Sequence, residues 1–318
     1  MKVPRTVGFI LLSAFVYLLF ATTLYNLFVN YLVFLFVFVF FTIGCTYTIV
    51  RIYFEEVKGQ TPIDITDKSS LILFGMVAMG AYAAYGLNIM LDSAVLGAGI
   101  IGVAAAFLVK PYQVPIYCGA FVGMSSPELF GFWQFSLATV VASGIFVLAK
   151  DIFNGYGGKL GTIALSGALV STVLLRGVFL DGSSYGMVEQ LLIMMFSVFA
   201  AVVTYSVSIR FKTGPVFASG ILGVLFGVLL PLIFPENGYT YAVVVIGASF
   251  VGMSGTNRFK DELPMFMAGV LFGLIFIFSA PYFGGAGGKL GTIAFMSVLS
   301  VKGIMVIFEN MRPVKADC

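Results

Sequence analysis

The sequence predicts an all-α polytopic membrane protein of about twelve membrane segments, grouped two, five and five, with two inverted-topology repeats that each contain one short or broken helix. Three observations predict it. Of 318 residues, 60% are hydrophobic and 10% charged, with a mean hydropathy of +1.07. A soluble domain is roughly half apolar and about a quarter charged. Apolar runs recur along the whole chain, and a helix needs about 20 mostly apolar residues to cross a bilayer. A twelve-residue motif also occurs twice.

The first 69 residues read as a two-helix extension and a cytoplasmic loop. An apolar run enters at Val7, behind Lys2 and Arg5, as a signal peptide would begin. No small-residue cleavage site follows and a second run starts at Tyr31, so a retained helix is expected. These runs cover 7–28 and 31–52. The longest polar stretch, Glu55 to Ser70, is too short to fold alone, so no globular appendage is expected.

Residues 70–186 read as repeat 1, with crossings near 70–88, 91–109, 133–150 and 160–180 and a short run at 114–125. Residues 187–318 read as repeat 2 and a tail, with crossings near 187–209, 215–234, 263–280 and 290–308 and a short run at 241–253. Each short run either crosses fully or re-enters. Lysine and arginine arbitrate, because cytoplasmic loops are enriched in them. With a cytoplasmic N-terminus and twelve full crossings, fourteen basic residues fall inside and only Arg176 and Lys289 outside. Re-entrant short runs would move Lys150, Lys159, Arg210 and Lys212 outside and largely collapse the bias. Twelve crossings are therefore expected, with both termini cytoplasmic. The expected location is the plasma (inner) membrane of a prokaryote.

The repeat is the most specific signal. Phe153–Ala164 reads FNGYGGKLGTIA and Phe283–Ala294 reads FGGAGGKLGTIA, identical at ten of twelve positions. FVGMSS at Phe121 is matched by FVGMSG at Phe250, an offset of 129 against 130 for the glycine motif. AGIIGV at Ala98 is matched by SGILGV at Ser219. Five crossings per unit place the second copy upside down. Inverted five-helix repeats are a plan of secondary transporters and some channels, with substrate near the midplane where the repeats meet. This is analogy at the level of fold. Duplication alone also builds a stable bundle.

Candidate site residues come from the repeated blocks. Gly157, Gly158, Lys159 and Thr162, with Gly287, Gly288, Lys289 and Thr292, open two helices. Unpaired N–H groups and a lysine at a helix start suit an anion or a polar substrate. The motif is not a phosphate loop, since leucine follows each lysine where Ser or Thr is required. The plainer reading is a turn whose lysine snorkels to headgroups. Ser125 and Ser126, with Ser254, follow the short segments. Backbone that leaves a helix at depth must be buried in protein or line a cavity, where sodium or a polar solute could meet it. The AGIIGV and SGILGV blocks read as close helix packing.

Histidine is absent, which removes His-based dyads and triads. Cys45 and Cys118 read as core residues, neither disulfide nor metal ligands. No carboxylate chain suggests a proton relay. Lys150 and Asp151 are expected to pair, Arg176 to sit near Asp181, and Glu309 near Arg312. No catalytic residue, cofactor or resident metal is expected, and sodium coupling stays open. The function read from the sequence is a transporter or channel for a small anionic or polar solute. The alternative is a non-transporting membrane subunit or assembly factor. The expected partners are the bilayer and a small solute or ion, with no nucleic acid; a homo-oligomer is left open.

Overall fold

A computed structural model describes residues 1–180 and 182–311. Twelve α-helices carry the fold: α1 (Arg5–Asn30), α2 (Leu32–Ile52), α3 (Lys68–Leu91), α4 (Ala94–Leu108), α5 (Gln113–Gly123), α6 (Phe132–Ala149), α7 (Lys159–Leu174), α8 (Met187–Arg210), α9 (Pro215–Ile233), α10 (Gly238–Gly252), α11 (Leu263–Phe278) and α12 (Lys289–Met311). A π turn over Tyr53–Val57 ends α2. Two short strands, β1 (Lys2–Val3) and β2 (Ile63–Asp64), pair antiparallel and tie the chain start to the loop before α3.

Local chemistry sets the helix ends. The Asp67 carboxylate caps α3 by accepting from the Ser69 N–H, and the Ser93 hydroxyl caps α4 by accepting from Leu96. Pro215 and Pro264 sit in the first turns of α9 and α11, where no N–H partner is lost. α7 starts after Gly158 at φ +85°, and α12 after Gly288 at φ +92°. Only glycine takes that conformation without strain.

Among the described residues, seven helices are long and apolar enough to cross a membrane: α1, α2 with its π turn, α3, α6, α8, α9 and α12. Large apolar side chains such as Phe36, Leu108, Trp133 and Leu232 are exposed, which suits lipid better than water. The fold is consistent with an integral membrane protein. Shortness is more widespread than one helix per unit: α5 has 11 residues, α4 and α10 have 15, and α7 and α11 have 16.

Both units are wired alike. α3 packs on α4, α5 and α6, and α8 packs on α9, α10 and α11. α6 packs on α7, and α11 on α12. Between the units, α4 meets α9 and α7 meets α12. The α4–α9 contact is reciprocal: a Cβ on Gly99 would lie 2.9 Å from Val224 N, and one on Gly220 would lie 2.9 Å from Val103 N. The two blocks read as packing elements are packing elements. α2 lies along α12, and α1 crosses α6 and α7.

Charge pairing differs from expectation. Asp151 pairs with Arg5 at 3.4 Å, not with neighbouring Lys150. Lys150 offers its backbone carbonyl to Lys159 instead. Asp181 and Arg312, expected partners of Arg176 and Glu309, lie outside the described residues.

Candidate functional site

Four helix ends converge where the units meet. α5 and α10 end in the FVGM segments, and α7 and α12 begin in the glycine motif. The Gly157 N–H donates to Ser254 Oγ at 3.1 Å, and the Gly287 N–H donates to Ser125 Oγ at 3.2 Å. The Ser126 N–H donates to Gly285 O, and the Gly255 N–H to Gly155 O, both at 2.9 Å. Every one of these four bonds joins one unit to the other, and each has its counterpart under the repeat offset. Each strut serine also donates within its own segment, Ser125 to Val122 O and Ser254 to Val251 O, both at 2.7 Å. The Phe121 and Phe250 rings meet at a tilt between the ends of α5 and α10, with centroids 4.2 Å apart.

α7 and α12 touch within their first turns. A Cβ on Gly291 would lie 2.5 Å from Gly161 Cα. Gly161 meets Gly291 in the same way. Small residues are what allow this approach. Thr292 Oγ1 turns back on Gly288 O at 3.2 Å, while Thr162 Oγ1 is buried without a partner among the described residues.

The lysines act on the preceding helices. Lys289 Nζ donates to the carbonyls of Ser279, Ala280 and Tyr282 at 2.9, 3.4 and 2.6 Å. An ammonium has three donors, and all three are used. Lys159 Nζ donates to Lys150 O at 3.2 Å and Asn154 Oδ1 at 3.0 Å. The last carbonyls of a helix have no partners in the helix and favour a cation. Each lysine therefore closes the end of the helix before its motif, α6 or α11. Neither reaches toward headgroups.

The two loops share a backbone and differ in what fills them. Beside the second copy lies a cavity of about 810 Å³. Its walls include Phe121, Met124 and Ser126 of the first unit and Phe250, Gly284 and Gly288 of the second. The equivalent space beside the first copy is plugged. Arg258 stacks on the Tyr156 ring at 4.5 Å, donates to Asn154 O at 2.9 Å, and pairs with Glu56 from the π turn after α2. Glu56 also accepts from the Phe153 N–H at 3.2 Å. Lys302 Nζ donates to Arg258 O at 2.9 Å. Asn154 and Tyr156 are the two positions at which the twelve-residue copies differ. Their counterparts, Gly284 and Ala286, line the cavity. Two side chains and one arginine thus separate a filled loop from an open one.

The plugged end also carries the ion pairs found among the described residues: Met1–Asp64, Arg5–Asp151, Arg51–Glu55, Arg210–Glu262 and Arg258–Glu56. Hydrogen bonding from Arg210 and Ser206 holds the Glu262 carboxyl below its usual range. Among the described residues, no group of three His, Cys, Asp or Glu side chains could hold a metal.

The candidate residues divide accordingly. Ser126, Gly287, Gly288 and Lys289 line the cavity. Ser125 and Ser254 are buried struts between the units, and Lys159 and Thr162 are buried on the plugged side. Gly157 packs against the last turn of α10, and Gly158 against α12. Sequence reasoning missed Asn88, Asp92 and Glu128 in the cavity wall, and Glu56 and Arg258 in the plug. The two mismatches within the repeat were the available signal for the plug. A buried hydroxyl chain, Tyr117 to Ser219 at 2.8 Å and Ser219 to Ser249 at 2.6 Å, also joins the units and gave no sequence signal.

Compared with family models, curated proteins and solved structures, the chain shows no match.

Proposed function

We propose that the chain is a membrane transporter that moves a small polar solute between two inverted five-helix repeats. One observation carries this reading: a cavity floored by the helix ends of both units is open on one face, while its repeat-related counterpart is plugged. A pathway that exposes a central site to one side at a time has this form. All twelve helices then cross, and α5 and α10 run beside α3 and α8 without turning back. The plugged, arginine-rich end faces the cytoplasm, in line with the excess of basic residues on that side. A prokaryotic plasma membrane, a cytoplasmic start of the chain and a small-solute partner belong to the same proposal. An anionic solute is the less favoured cargo, because Lys289 has no donor left to offer one.

Two measurements test it. Single cysteines replacing Pro127 and Thr256, equivalent exposed positions in the two units, should react with an impermeant maleimide from opposite faces of sealed vesicles. Reaction from one face refutes the inverted repeat. Purified chain in proteoliposomes should accumulate or exchange a solute that binds the cavity. A ligand-binding chain with no flux, recovered with stoichiometric partner chains, would instead mark a non-transporting subunit.

A further inference from the structure

The cavity wall is rich in acceptors, and its one cation is satisfied. Asp92 and Glu128 both line it, and neither forms an ion pair among the described residues. Lys289 is bound by three carbonyls. Asn88 is the telling residue. It is 5% exposed and lines the cavity. Its Nδ2 donates to both Gly123 O and Ser125 O at 3.1 Å. These two bonds fix which way the amide points, and leave Oδ1 with no donor among the described residues. That oxygen is not sealed off with the buried orphan hydroxyls, so it stays open to the cavity and free to accept from a donor there. Asn88 and Asp92 lie four residues apart at the end of α3, Glu128 follows the Ser125 that Asn88 binds by three residues, and both carboxylates sit exposed on the wall of the same cavity. Aromatic rings form much of the remaining wall, with Phe121 tilted against Phe250 and Tyr185 stacked on Phe276. Ring faces attract cations and cover apolar bodies.

We infer that this cavity binds a protonated amine carrying an apolar or aromatic body, with the ammonium toward Asn88 Oδ1, Asp92 and Glu128 and the body against the rings. The size fits, since small-molecule sites span about 300–1,000 Å³. Binding at this site stands without the transport reading; only the passage of the bound amine across the bilayer rests on it.

Three probes of one shape test it by calorimetry on the full chain in detergent: phenethylammonium, phenethyl alcohol and phenylacetate. The ammonium should bind at least about tenfold more tightly than the alcohol, as expected for charge-assisted over neutral hydrogen bonds. Phenylacetate should show no binding. Asp92→Asn and Glu128→Gln should each weaken the ammonium roughly tenfold, with alcohol binding and the melting temperature of the unliganded chain unchanged. Three results each overturn the inference: phenylacetate binding as tightly as the ammonium, both variants within twofold of the parent, or no ammonium binding at all. The two readings fail separately. Ammonium binding without uptake in proteoliposomes removes transport and keeps the amine site. Uptake of an anion without ammonium binding removes the amine site and keeps transport.

Discussion

The Arg258–Glu56 pair should set how often the plugged end opens. Its side chains are 18% and 19% exposed, so it is partly buried and lies between a buried pair and the surface pairs that contribute almost nothing. Glu56→Gln keeps the shape and one acceptor but removes the charge. The loss is then that of a charge-assisted hydrogen bond, about 1.5–3 kcal/mol. That corresponds to roughly a 10- to 150-fold rise in the open population. Arg258→Ala also removes the stack on Tyr156 and the bond to Asn154 O and strands Glu56, so its cost lies above that of Glu56→Gln and below the upper end of about 5 kcal/mol for a fully buried pair. The chain carries its own reporter. Cys118 is fully buried and its thiol contacts Leu160 O at 3.5 Å, in the first turn of α7 beside the plug. With Cys45 and Cys318 replaced by serine, a small thiol reagent should label Cys118 faster by those factors, because labelling follows the open fraction when opening is fast. A chain keeping only Cys45, buried in α2, should label no faster, which separates local opening from unfolding. Labelling of Cys118 within twofold of the parent in both variants would refute the reasoning.

Gly161→Ala and Gly291→Ala each drive a methyl into backbone of the other helix, and backbone cannot rotate away. Each should cost about 1–3 kcal/mol in thermal unfolding. The double variant should cost less than the sum of the two, because one separation of α7 from α12 relieves both clashes. Lys159→Met and Lys289→Met should lower the melting temperature, since each strands carbonyls at the end of a preceding helix at about 1–3 kcal/mol. Loss of solute binding with an unchanged melting point would restore a direct ligand role for the lysines. The Glu262 carboxyl is held low by Arg210, so its stabilisation is present above the ordinary glutamate range and is lost as pH falls through the lowered value. Arg210→Gln should flatten that acid limb of the stability curve, and an unchanged limb would show that the pair adds nothing.

The helices and their order were legible in the sequence, because apolar runs are written locally, and seven of the described helices are long and apolar enough to cross a membrane. The repeat was legible because two copies align residue by residue. The packing role of Gly99 and Gly220 came from small residues at helix spacing. Site chemistry was less legible. A lysine after two glycines looks the same in sequence whether its ammonium points to a ligand or back to the helix before it. Only the fold put Ser279, Ala280 and Tyr282 around Lys289. Arg258 and Glu56 lie 202 residues apart, and no periodicity connects them. Asn88 reads as a polar residue near a helix end until α5 is laid beside α3 and takes both of its donors. Composition and repetition determined the apolar segments and the duplication, since each depends on residues close in the chain. Tertiary structure decided which of two near-identical loops is open, because that depends on distant side chains meeting in one space.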